Sequence, residues 1–361
     1  MKQTEMLKDF GQSLWLDNLT RDLLDSGTLQ TYRDALSVTG LTSNPTIFNH
    51  AIKNSTSYDD DILKGVRTGK SEQDVFFSLA LADIVRASEL FDQIHHHTNG
   101  IDGWASLEVP PSLAHDAEGT IEAAKTLHSH ANRKNVYIKI PSTREGLRAI
   151  EDSIFAGIPI NVTLLFSPDQ YLAAADAYLR GIERRISAGL NPDVSSVASI
   201  FISRWDVAVH DKVPESLQGR LGVAVAQIAY RQYLRLLCSP RWQRSYNFGA
   251  RPQRLLWAST GTKDPNFPDT FYIDALIAPF TINTMPDLAL NAIASHGRFR
   301  QTLGSDENEA DKAIREFVSA GIDVDALGAR LQEDGVAAFS KSWDELMKII
   351  EQRATTLKST H

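Results

Sequence analysis

A lysine stands alone in an apolar, β-prone run that a proline closes: Val136-Tyr-Ile-Lys-Ile-Pro141. In that setting Lys139 points into a closed sheet or sits at its mouth, partly desolvated. Desolvation disfavours an ammonium and frees an amine nucleophile. The competing reading is a lysine that snorkels to solvent or pairs with a carboxylate across the sheet. Two carboxylates end similar runs, Asp17 in Ser13–Asn18 and Glu108 in Gly103–Val109. Carboxylates there suit general acid–base work beside an amine, and equally suit an ion pair or a helix cap. Other runs end in Asn44, Ser203-Arg204 and Ser259-Thr260, run five carries Asn161 and Thr163, and the last reads Thr281-Ile-Asn-Thr284. Asn44 precedes Pro45, a pair that also marks a turn.

These polar residues fall at the ends of eight apolar runs: Ser13–Asn18, Gly40–Asn44, Gly103–Val109, Asn135–Ile140, Ile158–Phe166, Val197–Arg204, Arg254–Ser259 and Ala275–Asn283. Helical periodicity fills the intervals. Glu118–Arg133 aligns Ile121, Ala124, Leu127 and Ala131, and Gln73–Phe91 aligns Phe77, Leu81, Ile84 and Ala87. Ser167–Ile186 opens with Ser-Pro-Asp, which places Ser167 as N-cap and Pro168 at the first helical position. Glu307–Ala320, Asp323–Asp334 and Asp334–Leu357 also read as helices, the last long and amphipathic. Alternating strands and helices predict an α/β protein with a closed (β/α)8 TIM barrel. No G-x-G-x-x-G or P-loop pattern supports an open doubly wound sheet. Without a Pro/Gly/Ser-rich linker or a repeat, residues 1–361 are expected to form one domain.

A net charge of −8, with 42% hydrophobic and 23% charged residues, describes an ordinary globular chain and argues against nucleic acid or an anionic membrane as partner. The single cysteine, Cys238, can form no internal disulfide and reads as a small buried apolar residue in Tyr233–Cys238. The first ten residues lack the apolar core of a secretory signal, so a cytoplasmic protein without a membrane span is expected. His95-His-His97 reads as a solvated helix end rather than a metal site, and Arg180–Arg185 as a charged helix face.

Five segments in order along the chain resemble the transaldolase family, particularly its longer bacterial type. They are Leu41–Phe48, Val136–Pro141, Ile160–Ser167, Ala198–Arg204 and Thr281–Pro286. The resemblance implies a metal-free class I aldolase with no cofactor, whose Schiff-base lysine falls on Lys139. It places the family's strand-one aspartate on Asp17, its strand-three glutamate on Glu108 and the residue holding the catalytic water on Thr163. Its substrate-hydroxyl asparagines fall on Asn44 and Asn161.

The phosphate site departs from the family's pattern. Shorter members separate a serine and an arginine by four residues, whereas Ser203 and Arg204 are adjacent; they also carry an arginine two residues beyond the strand-seven serine, and here Lys263, four residues beyond Ser259, is the candidate to replace it. Neighbouring strand residues face opposite ways, so Ser203 and Arg204 can share one phosphate only if the strand has already ended or bulged there, which predicts an irregular segment before Trp205-Asp206. The activity implied moves a dihydroxyacetone unit from sedoheptulose 7-phosphate to glyceraldehyde 3-phosphate, giving erythrose 4-phosphate and fructose 6-phosphate. Two alternatives are a fructose 6-phosphate aldolase on the same barrel and a catalytically inactive transaldolase-like binding protein. Small sugar phosphates are the expected partners, and the protein is expected to be a monomer or a homodimer.

Overall fold

In a computed structural model that describes residues 3–299, 302–303 and 307–360, eight parallel strands close into a barrel in chain order. They are β1 (Gln12–Asp17), β2 (Val38–Thr42), β3 (Trp104–Glu108), β4 (Val136–Pro141), β5 (Ile160–Leu165), β6 (Ser196–Phe201), β7 (Arg254–Ala258) and β8 (Thr281–Met285). The alternation of strand side chains sorts the core into two layers. Leu14, Leu16, Leu41, Leu107, Ile138, Ile140 and Val162 face outward and pack under the helices. Trp15, Trp104, Tyr137, Val197, Leu256 and Ile282 face the lumen and form a separate cluster. Trp104 stacks on Tyr137 with ring centroids 3.9 Å apart. Gly40 makes room for this plug, because a Cβ there would come within 2.7 Å of the Trp15 ring.

Two residues farther along, the inward side chains are polar on most strands, β7 excepted, where Ala258 follows Leu256. Trp15 is followed by Asp17, Tyr137 by Lys139, Asn161 by Thr163, Val197 by Ser199 and Ile282 by Thr284. The register aligns these positions around the lumen: Glu108 pairs with Lys139, Lys139 with Asn161 and Asp17 with Thr42. An apolar floor therefore carries a polar ring at the C-terminal end of the strands, where barrel enzymes keep their sites.

Several expected boundaries moved. Run two stops at Thr42, because Asn44 caps the helix Pro45–Asn54. Run six stops at Phe201 and the chain turns directly into the helix Ser203–Val209. The strand expected from Ala275 begins only at Thr281, and Ala275 instead ends the short helix Phe271–Ala275. The helix expected over Gln73–Phe91 continues to His97. Ser167 does cap its helix, in a capping box with Gln170. Cys238 is exposed, since it follows the last turn of the helix Leu221–Leu237.

The segments expected as separate helices at Asp323–Asp334 and Asp334–Leu357 form one helix, Val324–Thr360. At about 1.5 Å per residue it is long enough to cross the barrel mouth. Gln332 Nε2 donates to Ser142 Oγ (2.8 Å) and Leu164 O (3.0 Å), Thr46 donates to Ser342 (2.9 Å), and Arg353 Nε donates to Asp59 (2.6 Å). Trp343 meets Phe76 edge-on at 5.1 Å. Among the described residues, no helix is long and apolar enough to cross a membrane.

Candidate active site

The polar ring opens into a cavity of about 640 Å³, walled by Asp17, Asn18, Asn44, Lys139, Thr163, Ser199, Arg204, Ser259 and Thr284, among others. Phe201, Leu256, Ala258 and Phe339 add apolar wall. Glu108 and Asn161 lie outside the wall and reach it through Lys139 and Ser199 respectively.

Lys139 is 5% exposed. Its Nζ donates to Ser43 O at 2.8 Å and stands 3.1 Å from Glu108 Oε2, off the line a hydrogen bond requires. The Phe339 ring lies 6.0 Å away, brought there by the C-terminal helix. Both readings of this lysine thus coexist, an amine in a cavity and a partner for a carboxylate. Burial pushes the Glu108 carboxyl above its ordinary range, and the Lys139 charge opposes that rise. Burial likewise raises Asp17, against the Lys139 charge and a 2.7 Å hydrogen bond from Thr42 Oγ1. Carboxyls so poised hold protons more readily than solvated ones, which suits groups that must exchange them.

Thr163 Oγ1 is buried with no hydrogen-bond partner among the described residues, an uncommon condition for a hydroxyl. It stands just before an irregularity in β5, where Leu164 adopts a left-handed φ of 57°. Such a bulge re-aims side chains at a strand end. Asn161 is held at both ends of its amide, donating to Ser106 Oγ (3.2 Å) and accepting from Ser199 Oγ (2.7 Å). The Asn44 side chain accepts the Ile47 N–H at 3.1 Å, so its NH₂ is the end left for the cavity.

The phosphate candidates separate. Arg204 lines the cavity from the first turn of the helix after β6, beside the Phe201 ring at 5.3 Å. It forms no ion pair or side-chain hydrogen bond among the described residues. Asp206, the carboxylate two residues on, is committed to Leu221 N–H, Gly222 N–H and Tyr272 Oη. Burial lowers the Arg204 pKa, and Asp334 works against that shift. Ser203 lies outside the wall, its hydroxyl 2.9 Å from that of Ser259. Lys263 is exposed and also outside the wall, yet surrounding protein, and secondarily the Arg204 charge, push its pKa down.

Ser199 and Phe339 are among the wall residues that escaped the reading of the sequence. Ser199 is five positions before Arg204, and strand alternation from Val197 was the signal that turns it inward. Phe339 had no such signal, since its place depends on where a distant helix docks. His95 is half-buried, with Nδ1 3.1 Å from Asp102 O, while His96 and His97 are exposed. Among the described residues, no three His, Cys, Asp or Glu side chains are grouped to hold a metal.

A family model described as transaldolase/fructose-6-phosphate aldolase matches residues 14–350. A protein named Transaldolase from Neisseria gonorrhoeae is 41% identical over 343 residues, covering 94% of this chain and 97% of that one. One of the same name from Frankia alni is 40% identical over 356 residues, 95% of each chain. Transaldolase 2 of Nostoc sp. (strain PCC 7120) is 38% identical over 370 residues, 97% of each.

Proposed function

Because the chain belongs to the transaldolase/fructose-6-phosphate aldolase family, we propose that its cavity transfers a dihydroxyacetone unit between a ketose phosphate and an aldose phosphate through an imine on Lys139. The observation that carries this reading is a buried lysine amine, in the wall of a polar cavity, between two carboxyls that burial pushes toward holding protons.

Lys139, as the free amine, attacks C2 of fructose 6-phosphate or sedoheptulose 7-phosphate. Its proton and the departing C2 oxygen are handled by Glu108 through a water on the unpaired Thr163 hydroxyl, and loss of that oxygen as water leaves an iminium. Asp17 then takes the C4 hydroxyl proton. The C3–C4 electrons move into the iminium, C4 becomes the carbonyl of the departing aldose phosphate, and an enamine remains on Lys139. In the second half C3 of the enamine attacks the aldehyde carbon of the acceptor, erythrose 4-phosphate or glyceraldehyde 3-phosphate. Asp17 returns its proton to the new alkoxide, and water hydrolyses the iminium. Asn44 holds a hydroxyl of the three-carbon fragment by its NH₂, and Asn161 acts from behind Ser199.

Arg204 is the principal phosphate ligand, with Ser259 beside it and Lys263 as a second, more distant charge. A guanidinium without a protein carboxylate suits a bidentate anion. Ser203 supports Ser259 rather than the phosphate. The enamine serves as the electron sink, so the reaction requires no metal. We place the activity in the cytoplasm, on one folded domain acting as a monomer or homodimer.

Phe339, Phe201, Leu256 and Ala258 line the cavity with apolar surface, which favours capture of the enamine by an acceptor over its protonation by water. Fructose 6-phosphate is therefore consumed rapidly only when erythrose 4-phosphate is supplied. Equal consumption without acceptor, with free dihydroxyacetone accumulating, would instead make the protein a lyase.

A further inference from the structure

The residue after Asp17 has no role in the reaction described above, yet it shares the cavity wall with Asp17. Asn18 Nδ2 donates to Asp287 Oδ2 at 2.7 Å. An ionised carboxylate has no hydrogen to give, so the amide's orientation follows from chemistry: its NH₂ must face Asp287. The other end, Oδ1, has no protein partner among the described residues. Asn44 presents the opposite polarity, because its oxygen is taken by the Ile47 N–H. The cavity thus has an amide donor at the end of β2 and an amide acceptor at the end of β1.

Asp287 itself stands at the start of the helix Asp287–His296, immediately after β8. An acid in a helix's first turn is favoured by the helix dipole alone, which accounts for its residue type but not for its hydrogen bond to a cavity-wall amide. β1 ends at Asp17 and is hydrogen-bonded to β8, so the two segments leave the barrel side by side.

We propose that Asn18 is a further substrate-positioning residue, whose Oδ1 accepts a hydroxyl of the sugar next to the one Asp17 deprotonates, and that Asp287 fixes the amide in that orientation. This rests on the reading of Asp17 and Lys139 given above. Asp287 also acts on Asp17 directly. The charged and titratable groups that face Asp17 are Lys139, which lowers its pKa, and Asp287, which raises it. Glu108 is coupled to Asp17 across Lys139, and His50 and Asp22 stand elsewhere in the same wall.

The test combines a double-mutant cycle with a pH profile of kcat/KM for fructose 6-phosphate. Asn18→Ala removes one neutral hydrogen bond to substrate and is expected to lower kcat/KM about five- to thirtyfold, while borohydride still traps the imine on Lys139. Asp287→Ala is expected to lower kcat/KM less, and to cost little more once Asn18 is alanine. Asp287→Asn keeps an acceptor for Asn18 but removes the negative charge, so the acid limb of the profile should move to lower pH. A role confined to folding would change thermal stability without moving that limb. Full kcat/KM in Asn18→Ala, additive losses in the cycle, or an unmoved acid limb in Asp287→Asn would each overturn the proposal. Trapping of wild-type protein on a lysine other than Lys139 would instead remove the reading beneath it.

Discussion

Lys139 Nζ stands 3.1 Å from Glu108 Oε2, and the two residues are register partners on adjacent strands. Sheet hydrogen bonding, rather than a mobile loop, therefore sets the distance between amine and carboxyl. Burial raises the carboxyl while the lysine charge opposes it. Glu108→Gln keeps the shape and removes the exchangeable proton. Its rate of imine formation, followed by rapid-quench borohydride trapping, should fall about 100- to 10,000-fold with the final site of trapping unchanged. A loss of only about twofold would exclude Glu108 from proton transfer.

Arg204 reaches the cavity because β6 ends at Phe201 and a helix begins at Ser203. Losing this charged contact should cost about 2–4 kcal/mol, roughly 30- to 1000-fold in kcat/KM, for phosphorylated acceptors. Unphosphorylated glyceraldehyde, which never uses the contact, should react with Arg204→Ala and wild-type protein almost equally. Lys263→Ala should cost less than Arg204→Ala, since Lys263 is exposed and outside the cavity wall. Equal losses of Arg204→Ala for both acceptors would show that Arg204 only supports the barrel rim.

The strand positions of Lys139, Asp17, Glu108 and Thr163 were legible in the sequence because each is a polar interruption of an apolar strand, and the eight strands recur clearly enough to give the barrel. The strand ends were less legible. Asn44 and Ser203 lie in the same apolar-to-polar transitions as true strand residues, and only the cap of the following helix shows that the strand has stopped. Ser199 was accessible by counting alternate residues from Val197. Phe339 was not accessible at all. Its position over Lys139 follows from Gln332, Ser342 and Arg353 tying one long helix across the mouth, contacts between residues more than 150 positions apart.

Asp206 gives the fold a predictable pH dependence. Burial pushes its carboxyl up to about 6 from an ordinary 3.8, despite hydrogen bonds from Tyr272, Leu221 and Gly222. The folded state thus holds this proton more tightly than the unfolded chain. The stabilisation is complete below about pH 4 and lost as pH rises through 6, a change of up to about 3 kcal/mol. Other buried carboxyls contribute in the same direction, so the comparison must be with Asp206→Asn. Urea unfolding from pH 4 to 7.5 should show a shallower decline for this variant than for wild type. Parallel curves would mean that Asp206 is ionised in both states across that range.

In the proposed reaction Lys139 carries the three-carbon unit. The most direct measurement is borohydride reduction in the presence of fructose 6-phosphate, followed by peptide mass mapping. We expect a single reduced adduct, located on Lys139, and no adduct in a folded Lys139→Ala variant, which should also be inactive in transfer. An adduct on another lysine, or undiminished trapping in Lys139→Ala, would show that Lys139 does not form the imine.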